Sequence, residues 1–206
     1  MALFLPGAGG RRSFWQPVAR QLDARIEADV MAWPGFGDEP RDDSIEDLTG
    51  LTAYVLQHMD GPCDLVAQSM GGVVALTLAL EHPDLVNRLV LTGTSGAFDV
   101  SRFGAEDWRA GERARAASEQ TPAWFISDST DLTSQLGSIA APALLIWGED
   151  DRISPPAAGE YLASLLPHAR FAVVPGGHDH PQAHPAATAA LISSFLLTPL
   201  TTGGPA

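Results

Sequence analysis

Asp64-Leu65-Val66-Ala67-Gln68-Ser69-Met70-Gly71-Gly72-Val73-Val74-Ala75-Leu76 passes from a strand pattern to a helix pattern with a serine at the join. A serine on so tight a strand-to-helix turn stands out above the sheet edge. The residues two before and two after it must be small, because the new helix packs close to the strand. Ala67 and Gly71 meet that requirement, so the stretch reads as a nucleophile elbow. Ala67 stands where the usual pattern has glycine, and small-x-Ser-x-Gly recurs by chance. The competing reading is a serine that caps the helix of an ordinary strand-helix unit, and the rest of the chain has to decide.

Upstream, Ala2 to Leu5 is a short apolar strand, followed by the loop Pro6-Gly7-Ala8-Gly9-Gly10 and a helical pattern from Ser13 to Leu22. Phe14, Val18 and Leu22 recur at four-residue spacing, which gives that helix one apolar face. Arg25 to Met31 reads as a second strand, Trp33 to Pro40 as a turn-rich loop, and the acidic run Asp38 to Asp47 as a solvated approach to a helix starting at Ser44-Ile45-Glu46-Asp47. Cys63 to Ala67 is the third strand and Met70 to Leu80 the helix after the elbow. Asn87 to Thr92, Ala143 to Trp147 and Arg170 to Val174 are three further strands, and Ala186 to Leu197 is the last helix. These compact apolar runs alternate with helices, as expected of a parallel sheet covered on both faces. The expected fold is α/β: one doubly wound domain over residues 1–197, with a six-stranded, mainly parallel sheet and a flexible tail at 198–206. Between residues 97 and 137 the chain leaves this rhythm, with a polar helix candidate at Ala105 to Ser118 and then the exposed-looking Pro122-Ala123-Trp124-Phe125.

Composition removes several function classes. The 206 residues carry 25 acidic and 12 basic side chains, a formal charge of −13, which disfavours nucleic acid and anionic membrane surfaces as partners. All 12 basic residues are arginine, so Schiff-base, Ser-Lys and P-loop-lysine chemistry is excluded. Cys63 is alone, which rules out an intrachain disulfide and a cysteine zinc cage and suits a small core residue. Met1-Ala2-Leu3-Phe4-Leu5 has no basic leader, and a cytoplasmic protein is expected.

The ordered set Ser69, Gly148-Glu149-Asp150-Asp151-Arg152-Ile153-Ser154-Pro155 and Gly176-Gly177-His178, together with the early Pro-Gly-Ala-Gly-Gly loop, resembles the α/β-hydrolase superfamily. The motifs span roughly residues 2 to 197. Against the usual family sheet, the chain begins at an interior strand and carries a shortened lid insertion. The resemblance implies Ser69 as nucleophile, His178 as base and, from the family's spacing, Asp151 as the acid, with Asp150 as the alternative. It implies an oxyanion hole made by the backbone N–H groups of Met70 and Ala8. If the first and third strands are neighbours with the second outside the first, the strand order reverses between the glycine loop and the elbow, where ligands bind in such sheets.

Other residues suggest roles with blander alternatives beside them. His178, His180 and His184 with Asp179 look like a metal cluster, yet their spacing matches no common zinc signature, and one functional histidine with two surface ones is expected, with no metal. Arg11 and Arg12 follow the glycine loop, where Arg12 could meet a substrate carboxylate or simply be solvated. Phe103, Trp108, Trp124 and Phe125 could line an acyl pocket or pin the insertion to the body. The expected function is a cofactor-free serine hydrolase that cleaves small carboxylic esters, or thioesters, through an acyl-enzyme. The alternatives are a non-catalytic small-molecule-binding module and a Ser-dependent carbon-carbon hydrolase or hydroxynitrile lyase.

Overall fold

A computed structural model describes residues 1–95 and 97–200; the expected flexible tail lies, from residue 201 onward, outside the described residues. Six strands form one sheet: β1 (Ala2–Leu5), β2 (Ala28–Val30), β3 (Cys63–Gln68), β4 (Val86–Thr92), β5 (Ala143–Gly148) and β6 (Ala169–Val174). Their order is β2-β1-β3-β4-β5-β6 and every pairing is parallel. The chain therefore winds outward from β1 to β2, returns to β3 on the other side and continues in that direction, which places the reversal between β1 and β3.

The period-two alternation of the strands builds a core on each face. Leu3, Leu5, Leu65, Ala67, Leu89, Leu91, Leu145 and Trp147 point to one side, where they meet α2 (Leu48–Gln57), α3 (Met70–Glu81) and α5 (Pro156–Leu165). Ala2, Phe4, Val66, Val90, Leu144 and Ile146 point to the other, beneath α1 (Gln16–Ala19) and α7 (Pro185–Leu196). The insertion between β4 and β5 carries α4 (Arg109–Glu119), and α6 (His180–Ala183) precedes α7.

Three local expectations need correction. The helix expected over Ser13 to Leu22 is a 3-10 turn at Arg12–Phe14 followed by the single turn α1, with Pro17 in that turn. The apolar face survives the shortening, with Val18 buried and Phe14 and Leu22 packed beside it. The second strand is confined to Ala28–Val30, the three residues that find partners on the short β1. Finally, α2 is capped by Asp47, whose carboxylate accepts from the Gly50 N–H at 2.7 Å, a bond of a kind worth about 1 kcal/mol. Ser44 instead donates its hydroxyl to Asp42 at 2.6 Å.

Cys63 is buried at the start of β3, and burial pushes its thiol up to about 11. Among the described residues no helix is long and apolar enough to cross a membrane.

Candidate active site

All strands point the same way, so the loops leaving β1, β3, β5 and β6 open on one edge of the sheet. Ser69 sits between β3 and α3 with φ 51° and ψ −119°, a left-handed backbone forced on a residue with a Cβ. The turn is held by the Ser69 N–H donating to the Thr92 carbonyl at 2.9 Å and by the Gly72 N–H donating to the Ser69 carbonyl at 2.9 Å. Gly71 is required by contact: a Cβ there would lie 2.5 Å from the Pro6 carbonyl oxygen at the end of β1. Ala67 is tolerated in the usual glycine position because its methyl joins the core between β1 and β4.

Asp151 follows β5 and is buried, whereas Asp150 is exposed. The Asp151 carboxylate is fully partnered. One oxygen accepts the N–H groups of Ile153 (2.9 Å) and Ser154 (2.8 Å), and the other lies 2.9 Å from Nδ1 of His178. The loops that carry the two side chains are tied by backbone bonds from Glu149 N–H to Val174 and from Asp150 N–H to Gly176. Gly93, at φ +51°, lies against the pair. A Cβ there would be 3.0 Å from His178 Nδ1 and 3.1 Å from an Asp151 oxygen, a constraint that nothing in the motif spacing signals.

Ser69, Ala8, Met70 and His178 all line one cavity of about 570 Å³, together with Gln68 and Ser95, which sequence reasoning missed. Among the described residues the Ser69 hydroxyl has Ser95 Oγ as its partner, at 3.4 Å, and makes no bond to His178 in this rotamer. Among the described residues neither the Ala8 nor the Met70 N–H has a backbone acceptor, which leaves both available to a ligand oxygen.

The inserted segment roofs the cavity, and its aromatics divide the two roles expected of them. Trp108 and Phe125 line it, their rings stacked at 6.2 Å. Phe125 is buried rather than exposed. Trp124 packs edge-on behind Phe125, and Phe103 leans on Phe98 of the same insertion and on Tyr161 of α5. Arg12, expected at the pocket, is not among its lining residues; its guanidinium pairs with Glu39 at 3.3 Å and donates to the Val30 carbonyl. Arg11 takes the place at the cavity and pairs with Glu119 of α4 at 2.6 Å.

The three histidines diverge, and among the described residues no group of three His, Cys, Asp or Glu side chains converges on a metal position. His184 is exposed, but His180 is fully buried, not at the surface as expected, with Nε2 3.3 Å from the Ile146 carbonyl and Nδ1 without a partner among the described residues. Burial pulls its imidazole down to about 4, opposed more weakly by the Ile146 carbonyl and the Asp151 carboxylate and helped slightly by the neighbouring His178 and His184. The folded state therefore holds a neutral His180 that the unfolded chain protonates below its ordinary value of 6.5. Stability from this group is complete above about pH 6.5 and is lost as the pH falls toward about 4, at most about 3 kcal/mol. Urea unfolding across that window should show a flatter pH slope for His180→Leu than for wild type, and identical slopes would contradict this account.

Known proteins agree with the architecture. The chain is 26% identical to the pimeloyl-[acyl-carrier protein] methyl ester esterase of Nitrosomonas europaea, over 84% of this chain and 86% of that one. It is 27% identical to the protein of that name from Neisseria meningitidis, over 92% and 91%. A hydrolase from Pseudomonas aeruginosa superposes with a TM-score of 0.80 at 24% identity, covering 96% of this chain and 89% of that one. The enol-lactonase of Burkholderia xenovorans superposes with a TM-score of 0.78 at 21% identity, covering 96% and 91%. With residues 2–191 matched by the profile of the Alpha/beta hydrolase family, the chain belongs to that family.

Proposed function

We propose that the protein is a serine hydrolase of small carboxylic esters that works through an acyl-enzyme. The observation that carries this is the pairing of buried Asp151 with half-buried His178 at 2.9 Å, opening on the same cavity as a serine held at positive φ. A serine hydroxyl is a weak nucleophile and needs a neutral imidazole to take its proton. Asp151 accepts at Nδ1–H of His178, which fixes the tautomer with a free Nε2 lone pair. The Ser69 hydroxyl turns from Ser95 toward Nε2 as substrate enters and attacks the ester carbonyl, its proton passing to His178. The oxyanion that forms takes the N–H groups of Met70 and Ala8, donors each worth about 3 to 4 kcal/mol of barrier in comparable sites. His178 then returns the proton to the departing alkoxide, and a water, deprotonated by the same imidazole, releases the acid.

The alcohol and acyl classes follow from cavity size and kinship. A cavity of about 570 Å³ roofed by Trp108 and Phe125 suits a short to medium acyl chain. The relatives named as methyl ester esterases support a small alcohol group. The test is hydrolysis of the p-nitrophenyl esters of acetate, butyrate, octanoate and palmitate, with Ser69→Ala as control. kcat/KM should peak at butyrate or octanoate and collapse at palmitate. Turnover that the control retains would exclude the proposed nucleophile.

A further inference from the structure

The loop after β1 is held by side chains that grip its carbonyl oxygens one after another. The Trp15 indole donates to Leu5 at 2.9 Å, the Trp33 indole to Gly7 at 2.9 Å, and Nη2 of Arg115 to Ala8 at 3.1 Å. The Gly7 carbonyl matters most, because it shares a peptide plane with the Ala8 N–H. The described peptide bonds are all trans, so carbonyl and N–H point in opposite directions. Whatever fixes the Gly7 oxygen therefore aims the Ala8 N–H the other way. Two donors fix it: the Trp33 indole, from a side chain only 1% exposed, and the Gly10 N–H at 3.0 Å.

The next carbonyl, that of Ala8, is gripped from the insertion. Arg115 lies on α4, and Glu112 and Glu119, one turn to either side, hold its guanidinium at 2.5 and 3.2 Å. Glu119 also reaches Arg11 of the same loop at 2.6 Å. One helix of the roof thus touches the loop at two points, a carbonyl and a side chain. Both elements of the pairing lie at the cavity, since Ala8, Arg11 and Glu112 line it.

We propose that Trp33 is the positioning residue that aims the Ala8 N–H from the core, and that Arg115, by holding the following Ala8–Gly9 peptide from the roof helix, keeps the loop in that place, so that seating of α4 completes the oxyanion hole. This rests on Ser69 acting as the nucleophile beside that hole. A hydrogen-bond donor aimed before the reaction stabilises the developing oxyanion without reorganisation, and a misaimed one loses that advantage while leaving substrate binding alone. Trp33 reads from sequence as a turn residue; only the indole N–H to Gly7 separates it from a phenylalanine in the same place.

The test uses W33F, R115M and R115K with p-nitrophenyl butyrate, a boronic acid that forms a tetrahedral serine adduct, and backbone hydrogen exchange over residues 6–12. W33F should lower kcat about 10-fold or more with KM within about 2-fold, and weaken the boronate by a similar factor. R115M should lower kcat about 5-fold, and R115K, which keeps one donor for the Ala8 oxygen, should recover most of it. Exchange at Gly10, whose N–H is bound to Gly7, should speed up in W33F. Unchanged kcat in both W33F and R115M, or losses confined to KM, would overturn the proposal. If wild type shows no Ser69-dependent turnover, it is the proposed nucleophile that fails. Exchange then judges the clamp separately: unaltered protection of the loop in W33F and R115M would overturn it.

Discussion

Ser69→Ala is expected to lower kcat for a short-chain ester by about 10⁵- to 10⁶-fold, the loss seen when a unit of coupled catalytic groups forfeits its nucleophile. The same position should also show what the reactive geometry costs. Ser69 adopts φ 51° and ψ −119°, and alanine keeps the Cβ that makes this conformation unfavourable. Glycine removes it. Ser69→Gly should therefore be inactive yet more stable than Ser69→Ala by about 1 kcal/mol, the relief of strain exceeding the extra unfolded-chain entropy of glycine. Urea unfolding of the two variants measures the difference, and equal midpoints would mean that the elbow stores no strain.

Asp151→Asn should lower kcat by about 10⁴-fold with little change in KM. The cause is a tautomer. The oxygen that accepts the Ile153 and Ser154 N–H groups cannot be replaced there by an amide nitrogen, so the new NH₂ must face His178. Nδ1 then has to accept, the ring proton moves to Nε2, and the base has no lone pair left for the serine proton. Asp150→Asn, at an exposed neighbour, should stay within about 2-fold of wild type. Comparable losses in the two variants would contradict the placement of the acid.

The sheet was legible because each strand is a compact apolar run and parallel strands leave little room for alternative placements. The reversal between β1 and β3 and the fold class stand as the sequence predicts. The proposed Ser69, Asp151 and His178 roles came from three motifs in chain order, and the structure adds the Asp151–His178 bond and the cavity shared by Ser69 and His178 as support. What stayed hidden depended on partners rather than patterns. Arg11 and Arg12 are equivalent in sequence, but a 3-10 turn starts at Arg12 and sends its side chain to Glu39, away from the cavity. His180 resembles its surface neighbours until α6 tucks it beneath the Ile146 carbonyl. Phe125 looked exposed because the stretch around it is short and proline-led, whereas Trp108 and Trp124 cover it. Gly93 carries no motif at all, and its importance is purely the space it leaves beside Asp151 and His178.

The central claim is that Ser69 is an activated nucleophile, and a fluorophosphonate that reacts only with such a serine tests it most directly. Folded wild-type protein treated with the probe and digested should give one adduct, on the peptide that contains Ser69, and Ser69→Ala should give none. Absence of an adduct from folded wild type, or an adduct on Ser95 in place of Ser69, would contradict it.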